Sequence, residues 1–101
     1  MSKPYVTFVN IIKTETDKQA EVVKILQEGT ETVISKKDGF QSVTLLASKD
    51  GAYVINIARW DSPANVQAVQ SDLKAIELVK RVAAIATAAP GLYDIVGEYT
   101  A

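Results

Sequence analysis

Histidine and cysteine are both absent from this chain of 101 residues. Without an imidazole or a thiol, nucleophilic machinery of the Ser-His-Asp or Cys-His kind cannot be built. Structural zinc and iron–sulfur sites lose their usual ligands, and haem loses its proximal histidine or thiolate. No disulfide can form, so nothing calls for an oxidising compartment. A charge bias is missing as well: 11 Lys+Arg against 12 Asp+Glu leave a net charge of −1. The densest basic cluster is the pair Lys36-Lys37, too little for a nucleic-acid footprint. The start, MSKPYVTFVNIIK, has neither the apolar core nor the cleavage site of a secretory leader. The Ala-rich run from Val82 to Ala89 is far short of the ~20 residues that span a bilayer. The expectation is a single cytoplasmic domain over residues 1–101, with no metal site, no membrane segment and no nucleic-acid partner.

What is present is the balance of a globular domain, 48% hydrophobic and 23% charged. Tyr5–Lys13 is β-branched and aromatic, and reads as a strand. Thr16-x-x-Gln19 has capping-box spacing and predicts a helix start. Ala20, Val23, Leu26, Val33 and Ile34 follow helical spacing, and Gly39 predicts a left-handed stop after Lys37-Asp38. Phe40–Ser48 and Tyr53–Trp60 read as strands joined by a tight turn at Asp50-Gly51. Ser62-Pro63 supplies a cap and a first-turn proline for a helix. Ser71-Asp72 can break and recap it. A longer helix is predicted from Leu73 to Ala88, with Leu73, Ile76, Val79 and Val82 inward and Pro90-Gly91 as its stop. Leu92–Tyr99 reads as the last strand. The order β-α-β-β-α-α-β fits an α+β ferredoxin-like sandwich, an antiparallel sheet with helices on one face.

Helices on one side cover one face of such a sheet, and the other face should turn polar. It does not. Val54, Asn56, Ala58 and Trp60 share one face of their strand, while Ile55 and Ile57 hold the other. Val6, Phe8 and Ile12 oppose Val9 and Ile11 in the same way. Two apolar faces predict a homodimer packed sheet to sheet. The alternative cover is the chain's own ends.

Searches for GxGxxG, GxxxxGK[ST], HExxH and acidic calcium loops find nothing. The polar residues that stand out are Asn10 and Asn56, amides in apolar strands where asparagine is disfavoured. A buried amide without a partner costs about 1–3 kcal/mol. Trp60, the only tryptophan, lies on the Asn56 face with an indole N–H beside a large flat surface. These groups suit a planar aromatic ligand bearing an oxygen. They also suit a structural amide bonded to backbone and an indole that fills the core. Tyr5, Tyr53, Tyr93 and Tyr99 stand near strand ends, and Lys80 sits late on the long helix.

Ala47–Trp60 (ASKDGAYVINIARW) resembles the antibiotic biosynthesis monooxygenase family in the pattern A-S-x-D-G-x-x-V-x-N-x-A-x-W. Gly39-Phe40 and Pro90-Gly91-Leu92-Tyr93 add to the likeness, which extends from about Val6 to Tyr99. The resemblance implies a dimeric α+β barrel of two ferredoxin-like protomers. It also implies cofactor-independent oxidation of a small phenolic, hydroquinone or anthrone-like substrate by O2, the deprotonated substrate itself passing electrons to oxygen. Carried over, Asn56 and Trp60 match the family's contacts to the substrate anion; Asn10, singled out by its place in the first strand and not by the resemblance, is expected beside them as a substrate contact. Leu46 stands where similar oxygenases carry histidine, Val66 where they carry tyrosine, and Lys80 where they carry arginine. Lys80 keeps the charge without the bidentate fork. A non-catalytic dimer of the same fold, binding a small molecule or serving an assembly, is the alternative expectation.

Overall fold

The computed structural model describes residues 5–101. The first four residues, part of the stretch read above for a leader, lie outside the described residues. The chain runs β1 (Val6–Thr14), α1 (Gln19–Thr32), β2 (Phe40–Ala47), β3 (Tyr53–Trp60), α2 (Pro63–Gln70), α3 (Leu73–Ala83) and β4 (Ala86–Tyr93), with a short 3-10 turn at Ile34–Lys36 after α1. The strands form one sheet in the order β2-β3-β1-β4, and every neighbouring pair is antiparallel. This is the expected ferredoxin-like α+β sandwich.

Alternation in β1 and β3 assigns the faces. Ile12 and Val54 are opposite each other in register and fully buried under the helices. With Val22 and Ile25 of α1 and Val82 of α3 they form one core cluster. Ala58, Trp60 and Val66 form a second, packed by Phe8, Phe40 and Val43. On the outer face Val9 opposes Ile57 and Ile11 opposes Ile55.

The hairpin turn, the break at Ser71-Asp72 and the Ser62-Pro63 start all lie where expected. Gly51 and Gly39 take φ of +80° and +82°, a conformation that costs glycine little. Ser62 accepts from the backbone N–H of Asn65 at 3.3 Å, and Asp72 accepts from that of Ala75 at 3.0 Å. Each carboxylate or hydroxyl thus satisfies one orphan donor of a helix start.

Several expectations are corrected. Thr16 does not cap α1; the residue before the helix is Lys18, which makes no side-chain cap bond. Gln19 instead donates to the carbonyls of Ser48 and Tyr53, 2.9 Å each, pinning α1 to the β2–β3 hairpin. Tertiary acceptors outcompete the local box. The helix then ends at Thr32, not at Lys37.

The expected inward faces are met in part: Val23 and Leu26 of α1 pack against the core and Val82 of α3 is buried, as expected, but other positions differ. In α1 the buried positions are Val22, Ile25 and Gly29, and Ala20 is exposed. In α3, Ala75 and Val82 are buried while Leu73 is 81% exposed. A side chain at Gly29 would come within 2.6 Å of Leu78 Cδ1. The close approach of α1 to α3 at this point selects the faces that pack.

The last strand is Ala86–Tyr93, not Leu92–Tyr99, and α3 stops at Ala83 rather than Ala88. The alanines favour helix intrinsically, but pairing with β1 overrides that preference. Pro90 is tolerated because β4 is an edge strand, where a missing N–H breaks no second ladder.

Lys37 and Asp72 join the turn before β2 to the α2–α3 elbow at 2.8 Å. The Lys37 ammonium, together with the Ala75 N–H, holds the Asp72 carboxyl below its ordinary pKa. A lowered carboxyl pKa stabilises the fold above the unfolded value and loses that stabilisation as pH falls through the folded one. Asp72→Ala should therefore lower the thermal midpoint at neutral pH. The gap to wild type should close below pH ~4 as the wild-type carboxyl protonates. A gap that persists unchanged in acid would contradict this account.

Candidate functional site

Between the sheet and the helices lies a cavity of about 490 Å³. This is within the range of small-molecule pockets, roughly 300–1,000 Å³. Its floor is the inner face of β1 and β3: Phe8, Asn10 and Ile12 beside Asn56, Ala58 and Trp60. Its roof comes from α1 near Gly29, from α2 at Val66 and Val69, and from α3 at Ile76, Val79 and Lys80. The two core clusters sit at its ends, so the cavity divides the core.

Asn10 and Asn56 face each other across the β1–β3 pair. Both amide oxygens are enclosed and have no hydrogen-bond partner. The amide nitrogens are not enclosed in this way, and neither bonds to another described residue. Two adjacent amides therefore offer N–H donors to an apolar space. In low dielectric such donors attract an electron-rich oxygen far more strongly than in water. The reading of Asn56 as a backbone-bonded structural amide has no hydrogen bond to support it among the described residues.

Trp60 is 3% exposed and meets Phe40 edge to face, ring centroids 5.6 Å apart. It serves both expectations, since it fills the second core cluster and also lines the cavity. Its indole N–H has no partner among the described residues. Val66 is buried in the cavity wall, 5% exposed. Lys80 is exposed at the rim and forms no ion pair among the described residues.

Five of the six singled-out residues thus meet at one cavity: Asn10, Asn56, Trp60, Val66 and Lys80. Leu46 does not. It pairs with Ile55 and therefore projects from the outer face, 47% exposed. Within β2, Val43 opposes Ala58 and reaches the cavity in its stead. Ala88 and Pro90 of β4 close one side. Sequence reasoning missed them because it placed the last strand too late. No Asp, Glu or Tyr lines the cavity. No group of three or more acidic residues close enough to hold a metal ion occurs among the described residues. No described helix is long and apolar enough to cross a membrane.

Residues 5–73 match the antibiotic biosynthesis monooxygenase family. The chain belongs to that family. Among characterised relatives it is similar to tetracenomycin-F1 monooxygenase of Streptomyces glaucescens, 38% identical over 66 residues, which is 65% of this chain and 59% of that protein. Among solved structures it shares its fold with SnoaB, a cofactor-independent oxygenase from Streptomyces nogalater. That superposition has a TM-score of 0.82 at 23% identity and covers 93% of this chain and 95% of SnoaB. A protein of Mycobacterium tuberculosis superposes with a TM-score of 0.79 at 17% identity, covering 96% of this chain and all of that one, 100%.

The matched segment of this family member contains β1, β3 and α2, and so both amides, Trp60 and Val66. The enclosed, unbonded amide oxygens are a local cost to the fold. Replacing Asn56 by leucine removes that cost at nearly constant size. Asn56→Leu should raise the unfolding free energy by roughly 1 kcal/mol, measured by urea titration. A marked loss of stability would mean that the amide bonds within the protein after all.

Proposed function

We propose that this protein is a cofactor-independent monooxygenase acting with O2 on a small phenolic, hydroquinone or anthrone-like aromatic. The observation that carries this reading is the pair of partnerless amides, Asn10 and Asn56, beside Trp60 in an apolar cavity. Family membership and the likeness to a relative named for monooxygenation support it.

For an anthrone the balance is Ar–CH2–Ar + O2 → Ar–CO–Ar + H2O. One oxygen atom enters the ketone and the other leaves as water, and the substrate supplies every electron. The protein's part is to hold the ring, keep water out and stabilise the anion that reacts with oxygen. Asn56, with Asn10 opposite, donates to the phenolate or enolate oxygen. Trp60 packs on the ring and offers its N–H. Val66 shapes the apolar wall, and Lys80 adds positive charge at the rim.

The cavity lining holds no carboxylate and no tyrosine. The substrate's own acidity, increased by the amide donors, then sets its ionisation. Oxygen-electrode assays with an anthrone and a hydroquinone test the reading. Turnover should fall about 10²-fold or more in Asn56→Asp, where a like charge replaces a donor aimed at an anion, and fall less in Trp60→Phe. The pH profile should track the pKa of the substrate and move when ring substituents change that pKa. Unchanged turnover in Asn56→Asp would overturn these roles.

The missing base and apolar Val66 also favour a second reading, a non-catalytic binding module. Saturable binding of the same aromatics without oxygen uptake would select it.

The outer sheet face is proposed to pair with a second copy. Ile11 and Leu46 are 39% and 47% exposed there. Among the described residues, Arg59 stacks over the Tyr5 ring, 4.7 Å from its centroid, and lies 3.9 Å from Glu98. Val96 and Tyr99, 95% and 92% exposed, add apolar surface that this protomer does not cover. Sedimentation at micromolar concentration should give a dimer, and Ile55→Asp should give a monomer. A wild-type monomer would sink the pairing.

A further inference from the structure

A second space of about 190 Å³ adjoins the main cavity. Phe8, Val66, Gln70 and Pro90 belong to the walls of both. One side of the smaller space is a single face of α2, with Pro63, Val66, Gln67 and Gln70 at i, i+3, i+4 and i+7. The other side is the end of β4 at Pro90, Gly91 and Leu92. Phe8, opposite Leu92 in the β1–β4 register, lies between them.

The chemistry of this space differs from that of its neighbour. Among the described residues, no charged side chain lines it. Gln67 and Gln70 do, and their carboxamides make no hydrogen bond to any described residue. Each carboxamide has both donors and an acceptor. Two such groups complement a neutral substituent that also donates or accepts, such as a carboxamide, hydroxyl or ketone. A bare hydrocarbon edge would make no hydrogen bond with them.

We infer that the pocket between α2 and β4 is a specificity subsite, in which Gln67 and Gln70 read an uncharged, hydrogen-bonding substituent on a ring held in the main cavity. This rests on the proposed reading of the main cavity as an aromatic site. The substrate class narrows accordingly to an aromatic carrying a neutral polar group at the edge that faces α2.

Trp60 is the only tryptophan and lines the main cavity, so its fluorescence reports occupancy without turnover. The probes are 9,10-anthraquinone and anthraquinone-2-carboxamide. Wild type should bind the carboxamide roughly threefold to tenfold more tightly than the parent, the range of one or two net hydrogen bonds. Gln67 lines only the smaller space, and Gln67→Ala should cut that preference about threefold while its affinity for the parent stays within about twofold. The position is exposed on a helix, where alanine favours folding. A preference unchanged in this variant overturns the inference. So does equal binding of the two probes by wild type. If the parent fails to quench Trp60 at all, it is the aromatic reading of the main cavity that has failed, and the subsite falls with it.

Discussion

The antiparallel register between β1 and β3 is the constraint on which the rest of the molecule depends. These are the two central strands, and each position in one is opposed by a fixed position in the other. Because side chains alternate, a slip of one residue would send every inward group outward. In the observed register Ile12 meets Val54 and Asn10 meets Asn56. The first pair anchors the core beneath α1 and α3. The second sets two amides side by side beneath the cavity. One backbone ladder therefore decides both where the core is dry and where the polar groups gather. The same ladder delivers Ile11, Ile55 and Ile57 to the outer face, so the inner site and the outer apolar surface are two consequences of one pairing.

A cavity inside a small domain costs dispersion and burial that a filled core would recover. The helical layer is held at its distance by contacts at its margins. Gln19 bonds to the hairpin, Lys37 bonds to the α2–α3 elbow, and α1 and α3 meet closely at Gly29 and Leu78. The first two ties lie outside the cavity lining, and the third forms part of its roof. The core survives as two clusters, one on either side, which together bury Ile12, Val22, Val54, Trp60 and Val66. Stability is concentrated at the ends of the helical layer, and the middle is left open.

What was legible in the sequence follows from how local each signal is. The Asp50-Gly51 turn, the Ser62 and Asp72 caps and the strand Tyr53–Trp60 are written in adjacent residues, and they fall where expected. The alternation in β1 and β3 gave the shared face of Asn56 and Trp60 directly. The misread elements are those settled by distant partners. Thr16 lost its capping role because hairpin carbonyls gave Gln19 better acceptors. The alanines after Val82 turned from helix to strand because β1 offered an open edge. Leu46 was set at the site by resemblance alone, and the β2–β3 register puts it on the other face. Gln67 and Gln70 carry no local signal, because only the fold brings the end of β4 to the same space as α2.

The absence of histidine and cysteine acquires a sharper meaning at the level of the cavity. Among the described residues Lys80 is the one ionisable side chain in the lining, and it stands at the rim, where water screens its charge. Asn10 and Asn56 carry no net charge but lie at the floor, with their amide oxygens enclosed. A fixed dipole in low dielectric can outweigh a screened full charge. On the proposed reading, chemistry that begins from an anion then needs donors at the floor more than it needs a base. Amides suit that task better than carboxylates, because they stabilise the anion without taking up its proton. An imidazole could exchange the proton as well, and then the pH dependence would belong to the protein. Without one, the acidity that matters is the ligand's own, and selection among ligands falls to the shape and polarity of the walls.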